Sequence, residues 1–366
     1  MNKIFDLIIV GSGPSGSALS MLMQDAGIRI ALIDKRNFDE EYDINNNNLK
    51  SCGGLLSEAA QASISALNLN IPNEVLESPQ ILNVKTFDFD NNLIESYKRS
   101  YLNMNREKFD RFLYKQTVSS NVEKIMSAMI IKLEKVEDLY AVTYKAKSGE
   151  LITIKSRILV GADGAKSKVR NTFFKENNRK AERYASYQKV YKNAKVSPQF
   201  ICVFGSEITD YYGWGFTKGD LFYLGFGSKP GVDATAKFEL MKSKLVAQGY
   251  EFGEEFRSEG TVLIRPSKVS KIVSADGSCY LIGEAGKFIS PSSAEGISFA
   301  LNSAIALADS FHHSSDLSKV SYQYKRNTKY LRRKVKLRNI KAQLLSNKTL
   351  RGVVMKSRIT AINKVR

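Results

Sequence analysis

The residues that could do chemistry in this chain are mainly glycines and carboxylates at strand ends. From Asp6 to Asp34 the chain reads DLIIVGSGPSGSALSMLMQDAGIRIALID. An apolar run, Leu7 to Val10, leads into Gly11-Ser12-Gly13-Pro14-Ser15-Gly16. Apolar residues then recur at helical spacing (Ala18, Leu19, Leu22, Met23, Ala26), Gly27 ends that segment, and a second run, Ile28 to Ile33, closes on Asp34. The order is strand, glycine turn, helix, strand, acid, with the spacing G-x-G-x-x-G and the acid about 20 residues on. In such a unit Gly11 makes the tight turn, Gly13 lets a pyrophosphate approach, and Gly16 lets the helix pack on the strand. The helix N-terminus offers N–H groups and partial positive charge to phosphates, and Asp34 can accept hydrogen bonds from an adenosine ribose. Glycine turns are common, and a packed unit that binds nothing could carry the same spacing. Here strand, helix and acid are all in place, so dinucleotide binding is the better reading; the motif does not separate FAD from NAD.

Two further strand ends carry a carboxylate. Arg157 to Val160 ends at Gly161-Ala162-Asp163-Gly164-Ala165-Lys166-Ser167-Lys168-Val169-Arg170. Cys279 to Ile282 ends at Gly283-Glu284-Ala285-Gly286, followed by Pro291 and by Glu295-Gly296-Ile297, which open a helix expected to run to Leu307. Ligands bind at the carboxyl ends of parallel strands, so Asp163 and Glu284 are expected beside the first glycine turn. Cys52-Gly53-Gly54 precedes Ser57, a helix cap with Glu58 behind it; taken locally it reads as an ordinary glycine turn with a buried thiol. Arg106 opens a helix with Phe109, Phe112 and Leu113 inward, where it could meet a phosphate or remain a solvated charge. Tyr212, Trp214 and Phe216 alternate and share one strand face, suiting either core packing or the lining of an apolar cavity.

The elements that must position these residues follow from bulk properties and turn signals. A chain of 366 residues with 43% hydrophobic residues is expected to form two or more subdomains. No apolar run reaches the length of a membrane span, and MNKIFDLIIVG runs straight into a strand without a signal-peptide pattern. Cys52, Cys202 and Cys279 are scattered without metal spacing, so no metal site is expected and a reducing cytoplasm suits them. The only histidines, His312 and His313, read as a solvated helix end, against a histidine-based hydrolase. Residues 35–50 read as a polar loop. Residues 81–98 form a hairpin around Asp90-Asn91-Asn92, and 128–155 form three short strands turning near Glu137-Asp138 and Ser148-Gly149. From Lys319 to Arg366 there are 16 Lys and Arg and no Asp or Glu, so of the net +18 the rest of the chain carries only +2. Tyr330, Leu337, Ile340 and Leu344 share one face of this helical segment. It is read as a basic helix packed on the body, or as one drawn to an anionic membrane surface; nucleic acid is not expected.

Together these residues resemble the flavoprotein superfamily of the p-hydroxybenzoate hydroxylase fold, and within it the geranylgeranyl reductase family, from about residue 4 to residue 310. The superfamily is carried by G-x-G-x-x-G, by Gly161-Ala162-Asp163-Gly164 through Arg170, and by Gly283-Glu284 with Pro291 and Gly296. The reductase family is carried by Cys52-Gly53-Gly54, by Tyr212-x-Trp214-x-Phe216, and by Arg106 with Phe109-Asp110. Glu284 stands where the superfamily usually has Asp, Asp34 where it more often has Glu, and Thr217 replaces a proline. The resemblance implies an α/β, mixed fold: a Rossmann-like FAD-binding domain with a parallel sheet (1–75, 101–175 and 271–312), an inserted antiparallel-sheet substrate domain (76–100 and 176–270), and a basic helical segment (313–366). It implies FAD held by Gly11, Gly13, Pro14, Ser15, Gly16, Asp34, Lys35, Cys52, Gly53, Gly54, Arg106, Asp163, Gly164, Gly283, Glu284, Gly296 and Ile297. Tyr212, Trp214 and Phe216 would line the substrate cavity, with Cys52 and Tyr212 as candidate proton donors. The implied activity is hydride transfer from reduced flavin to a carbon–carbon double bond of a prenyl or polyprenyl lipid, with NAD(P)H or ferredoxin as electron donor. The alternative is FAD-dependent hydroxylation of an aromatic or polyketide-like small molecule. The expected location is cytoplasmic, extending to the inner membrane face through 319–366.

Overall fold

The computed structural model describes residues 3–41, 52–175, 182–266, 272, 274–314 and 316–357; most of the expected polar loop at 35–50 lies outside these. In chain order the elements begin with β1 (Lys3–Val10), α1 (Pro14–Met23), β2 (Ile30–Ile33), β3 (Leu55–Leu56), α2 (Glu58–Ala66), β4 (Ile81–Asp88), β5 (Leu93–Asn103) and α3 (Arg106–Lys115). Next come β6 (Val122–Ile125), β7 (Met129–Val136), β8 (Leu139–Lys145), β9 (Leu151–Gly161), α4 (Lys168–Phe173), β10 (Glu182–Lys192), β11 (Phe200–Phe204), β12 (Gly213–Lys218) and β13 (Leu221–Ser228). The chain closes with α5 (Ala234–Val246), β14 (Glu254–Arg265), β15 (Ala275–Asp276), β16 (Cys279–Leu281), α6 (Ile297–His312), α7 (Leu317–Asn327), α8 (Lys329–Ser346) and α9 (Lys348–Lys356).

The first sheet runs β15-β16-β9-β1-β2-β6, parallel from β16 to β6. Strands buried on both faces must be apolar throughout, and all four residues of β2 are buried. On one face Leu7, Ile9 and Leu32 pack with Leu19, Phe109, Leu301 and Leu307 from α1, α3 and α6. On the other, Ile8, Ile33 and Leu159 pack with Val142, Tyr144 and Val169. The sequence suggests separate strands at 151–155 and 157–160; the structure makes them one. Its first half pairs antiparallel with β8 (Tyr140 opposite Ser156), and its end lies parallel to β16 (Leu159 opposite Cys279). The chain need not break where a strand changes neighbours.

The second sheet runs β14-β10-β13-β12-β11-β4-β5-β3 and is antiparallel except where β11 pairs with β4. It includes the expected hairpin, and Leu55–Leu56 joins it through β5. Ile201, Val203, Phe222, Leu224 and Phe226 pack on Phe238, Met241 and Leu245 of α5. By alternation, the opposite face carries Phe200, Trp214, Phe216 and Tyr223, which pack with Tyr101. The molecule is thus the expected mixed α/β architecture, with a parallel sheet, a second sheet and a helical C-terminal region.

The C-terminal helices belong to the body. Tyr324 of α7 is fully buried and donates its hydroxyl to the Leu281 carbonyl at 2.9 Å. Arg351 of α9 grips Asp88 with two hydrogen bonds of 2.8 and 2.9 Å and reaches Asp90 at 2.6 Å. The face of α8 differs from the sequence expectation. Leu331, Val335 and Ala342 are buried, Leu331 and Val335 against Ile272, Phe288 and Phe299. Tyr330, Leu337, Ile340 and Leu344 are 41%, 66%, 47% and 37% exposed. The helix carries two apolar stripes, and packing selected the one that sequence periodicity did not favour. The helix opened at Ile297 continues to His312, with His312 and His313 at its exposed end. Among the described residues no helix is long and apolar enough to cross a membrane.

Candidate functional site

The carboxyl ends of the parallel strands converge where alternation and the glycine spacing predict. Gly11 follows β1 at φ +101°, a left-handed conformation that glycine adopts without strain. A Cβ added there would lie 2.6 Å from the Ala162 carbonyl oxygen, so the first glycine turn abuts the end of β9. A Cβ on Gly16 would lie 1.8 Å from the Gly11 carbonyl oxygen, which fixes glycine where α1 leaves the turn. Gly283, at φ +56°, approaches Ser15: its Cβ would lie 2.7 Å from Ser15 Oγ. Gly13 differs, because its open side meets nothing nearer than Arg36 Nη2 at 3.8 Å. Gly11, Ser15, Ala162–Asp163 and Gly283 are therefore one cluster, with Gly13 facing outward from it. Pro14 occupies the first turn of α1.

Asp34 ends β2 with its carboxylate supplied by protein donors. Its Oδ2 accepts from Ser12 N at 2.7 Å and Ser12 Oγ at 2.9 Å, and its Oδ1 accepts from Arg36 N at 2.8 Å. Burial would raise this carboxyl, but the Arg36 guanidinium and these hydrogen bonds outweigh it and hold the group below the usual range. Lys35 beside it is exposed. Arg36, which sequence reasoning passed over, stacks on Phe38 at 4.5 Å and bonds Asp110 at 3.0 Å. Asp110 also takes Arg106 Nε at 2.7 Å, and Arg106 Nη1 donates to Cys52 Sγ at 3.3 Å. A continuous polar path thus runs Asp34, Arg36, Asp110, Arg106, Cys52. Burial works against the Arg106 charge, but Asp110 and Cys52 hold the guanidinium above its ordinary range. Asn105 caps α3 ahead of Arg106.

Gly53 and Gly54 tie this path to the second sheet. A Cβ on Gly53 would lie 3.3 Å from Phe216 Cζ. Gly54, at φ +59°, accepts from Met104 N at 2.9 Å and from Lys218 Nζ at 3.2 Å. Lys218 also donates to Asn103 Oδ1 at 2.8 Å and to the Met104 carbonyl. Burial pulls its ammonium down to about 8. An isolated lysine at the end of an aromatic strand, two residues after Phe216, carries no sequence signal for this buried clamp.

The Gly161–Arg170 motif is self-braced. Ser167 caps α4 through Arg170 N, Asp163 Oδ2 accepts from Lys168 N at 2.6 Å, and Arg170 donates to the Ala285 carbonyl at 2.8 Å and to the Ala165 carbonyl. Arg170 so links this motif to Gly283–Gly286. Asp163 Oδ1 is buried without a hydrogen-bond partner among the described residues, and burial raises its carboxyl. Gly164 follows it at φ +72°. Glu284 Oε1 accepts from Ile264 N of β14 at 3.1 Å, one methylene beyond where an aspartate would reach. Gly296 precedes α6 without a side-chain cap, and Ile297 is buried. Glu295 accepts from Ser298 N at 2.8 Å.

The aromatic strand spans between these loops. At its start Tyr212 donates its hydroxyl to the Ser293 carbonyl at 2.8 Å, beside the loop before α6. Burial first, then Tyr211 and Cys202, push that hydroxyl well above the usual tyrosine range. Trp214 donates to Gln188 Oε1 at 2.7 Å and lies beside Gly225, whose added Cβ would stand 2.9 Å from the indole nitrogen. Phe216 stacks on Tyr223 at 5.2 Å and on Phe200 at 6.2 Å.

An open glycine at a helix N-terminus, a buried carboxylate oxygen lacking a partner, and three close-packed glycines around them fit an extended dinucleotide. Comparison with known proteins names it. The sequence profile of the FAD binding domain family matches residues 5–201. The chain is 34% identical over 362 residues to Protein CbrA of Escherichia coli O9:H4 (strain HS), covering 99% of this chain and 96% of that one. Protein CbrA of Shigella sonnei is also 34% identical, with 99% of each chain covered. Among solved structures, a geranylgeranyl bacteriochlorophyll reductase-like protein of Thermoplasma acidophilum superposes with a TM-score of 0.80 at 17% identity, covering 99% of this chain and 94% of that one. PqsL of Pseudomonas aeruginosa, described as a probable FAD-dependent monooxygenase, superposes at 0.67 and 16% identity, covering 97% and 100%. The chain belongs to the FAD binding domain family, and its cofactor is FAD.

Proposed function

We propose that this protein reduces carbon–carbon double bonds of a prenyl or polyprenyl lipid. The observation that carries the reading is β12. Its one aromatic face runs from Tyr212 at Ser293 to Phe216 at Gly53, between the two loops that flank the glycine cluster. An unactivated double bond offers no polar handle, so recognition must rest on shape and apolar contact. Half-buried Trp214, Phe200 and Tyr101, packed against the buried Phe216 and Tyr223, supply that surface, and Gly225 leaves room for the indole. The likeness to the reductase-like fold, at a TM-score of 0.80, supports the same reading.

In this proposal Gly11 to Gly16 and the N-terminus of α1 hold the FAD pyrophosphate. Asp34 with Arg36 faces the adenosine ribose, with Lys35 alongside at the surface. Asp163, Gly164, Gly283 and Glu284 face the central chain of the cofactor. Cys52, Gly53, Gly54, Arg106 and the Gly296–Ile297 helix start surround its reactive end. Bound FAD supplies hydride chemistry. Tyr212 and Cys52 are the protein groups placed to manage a proton. Tyr212 keeps its proton through the neutral range, and burial makes that proton harder to release, so its transfer must follow charge developing on the substrate. Its proton rests on the Ser293 carbonyl. Cys52, which accepts from Arg106, serves to position the loop. NAD(P)H or ferredoxin is the proposed electron source.

A second reading, hydroxylation of an aromatic or polyketide-like molecule, is favoured by the end-to-end match with PqsL. Anaerobic mixing of the reduced holoprotein with a prenyl lipid separates the two. Flavin reoxidation with a saturated product supports the reductase. Turnover that requires oxygen and yields a hydroxylated product supports the monooxygenase and removes the first reading.

A further inference from the structure

The outward stripe of α8 has no explanation in the reaction. On a helix of 3.6 residues per turn, Tyr330, Leu337, Ile340 and Leu344 fall on one side. Leu331, Val335 and Ala342, the buried set, fall on nearly the opposite side. Arg333, Lys334, Lys336 and Arg338 are exposed beside the outward stripe. The whole segment from 319 onward carries 16 cations and no carboxylate, and Arg351 is its one cation with a salt bridge among the described residues. A solvated helix has no need to expose Leu337, Ile340 and Leu344 in line, and a packed one would bury them. Apolar side chains in a stripe bordered by Lys and Arg match the boundary between acyl chains and anionic headgroups. A nucleic acid would use the cations but gives no reason for the leucines.

The surface is tied to the body beside the aromatic cluster. The Arg351–Asp88 grip fixes the end of the segment to the second sheet. Tyr330 bonds Asn302 of α6 at 3.0 Å, and Arg265 reaches Ser346 at 3.5 Å. Burial, with Arg338 and Arg99 near it, lowers the Lys341 ammonium, so like charges gather there; the same Arg99 and Arg338 act on Tyr101 of the aromatic cluster.

We propose that α8 docks this protein on an anionic lipid bilayer, with Leu337, Ile340 and Leu344 entering the headgroup boundary and the flanking Lys and Arg contacting lipid phosphates. This surface is independent of which reaction the site performs.

The test uses the full-length, flavin-loaded protein and needs no turnover. Co-sedimentation is measured with vesicles of phosphatidylcholine alone and with about 30% phosphatidylglycerol, at low and high salt, and with a DNA duplex as competitor. The expected result is at least about tenfold stronger partition onto the anionic vesicles, weakening with salt. Leu337→Gln with Ile340→Gln should lower it a further tenfold or so while leaving flavin absorbance and thermal unfolding unchanged. Equal binding to both vesicles, no binding to either, or release of vesicle-bound protein by DNA would overturn the proposal. Unchanged binding by the double variant would do the same. Should that variant fold poorly, Leu344→Gln alone, with salt dependence of the unaltered protein, gives the same decision.

Discussion

Alanine at Gly13 separates the folding role of the glycine turn from its cofactor role. Gly13 sits at φ −70° and ψ −176°, extended backbone that any residue adopts. An added methyl meets nothing nearer than Arg36 Nη2 at 3.8 Å. Removing glycine restricts the unfolded chain, a gain of about 0.4–1 kcal/mol. Alanine is a poorer helix cap than glycine, which offsets most of it. The apoprotein of Gly13→Ala should therefore unfold within about 1 kcal/mol of wild type. On the proposed placement of the pyrophosphate over Gly11 to Gly16 the methyl would block its approach, so FAD affinity should fall at least about tenfold, or about 1.4 kcal/mol. Gly16→Ala is the contrast. Its Cβ would stand 1.8 Å from the Gly11 carbonyl oxygen, so α1 must shift and the apoprotein should lose about 1–3 kcal/mol as well as cofactor. Urea unfolding of apoprotein and FAD titration by fluorescence quenching give the two numbers. Wild-type FAD affinity in Gly13→Ala, or equal destabilisation by both variants, would refute the placement of the pyrophosphate.

Arg351→Met leaves the fully buried Asp88 carboxylate with only Asn91 Nδ2 and Asp90 N as donors and no charged partner, and should cost about 3–5 kcal/mol in urea unfolding. Arg351→Lys should recover little, because one ammonium cannot replace two parallel hydrogen bonds. Lys218 has its pKa lowered from 10.5 to about 8, so the unfolded chain holds the proton more tightly. Its charged form opposes folding below pH 8, and stability should rise between about pH 8 and 10.5. The rise should be absent in Lys218→Met, compared with wild type by unfolding at several pH values. Tyr212→Phe should lower kcat by about 100-fold or more if the hydroxyl is the acid; a loss below about tenfold in single-turnover reduction would reassign that role.

Much of the glycine cluster was legible because it depends on backbone. Gly11 and Gly16 are glycines for reasons the motif spacing carries, and strand polarity put Asp163 and Glu284 at the same end of the sheet, whereas the approach of Gly283 to Ser15 spans too much chain for spacing to record. The second layer of contacts was not legible. Arg36, Asp110 and Lys218 act across sequence separations that no periodicity records, and Lys218 became a clamp only because β12 ends against Met104. The carboxylate of Asp34 gave no sign that Ser12 and Arg36 would supply its donors. In α8, two apolar stripes were written in one helix, and only the arrival of Phe288 and Phe299 decided between them.

The position of β1 has a consequence for biogenesis. It lies between β2 and β9, and β9 in turn lies beside β16. Gly283 and the start of α6 leave the ribosome some 270 residues after Gly11. At 5–20 residues per second that is a delay of roughly 15 to 50 s. The cradle therefore stays unfinished until Gly283 has emerged, and a nascent chain stalled before that point would carry the Gly11 turn without the wall that closes it. Flavin capture should wait for that wall.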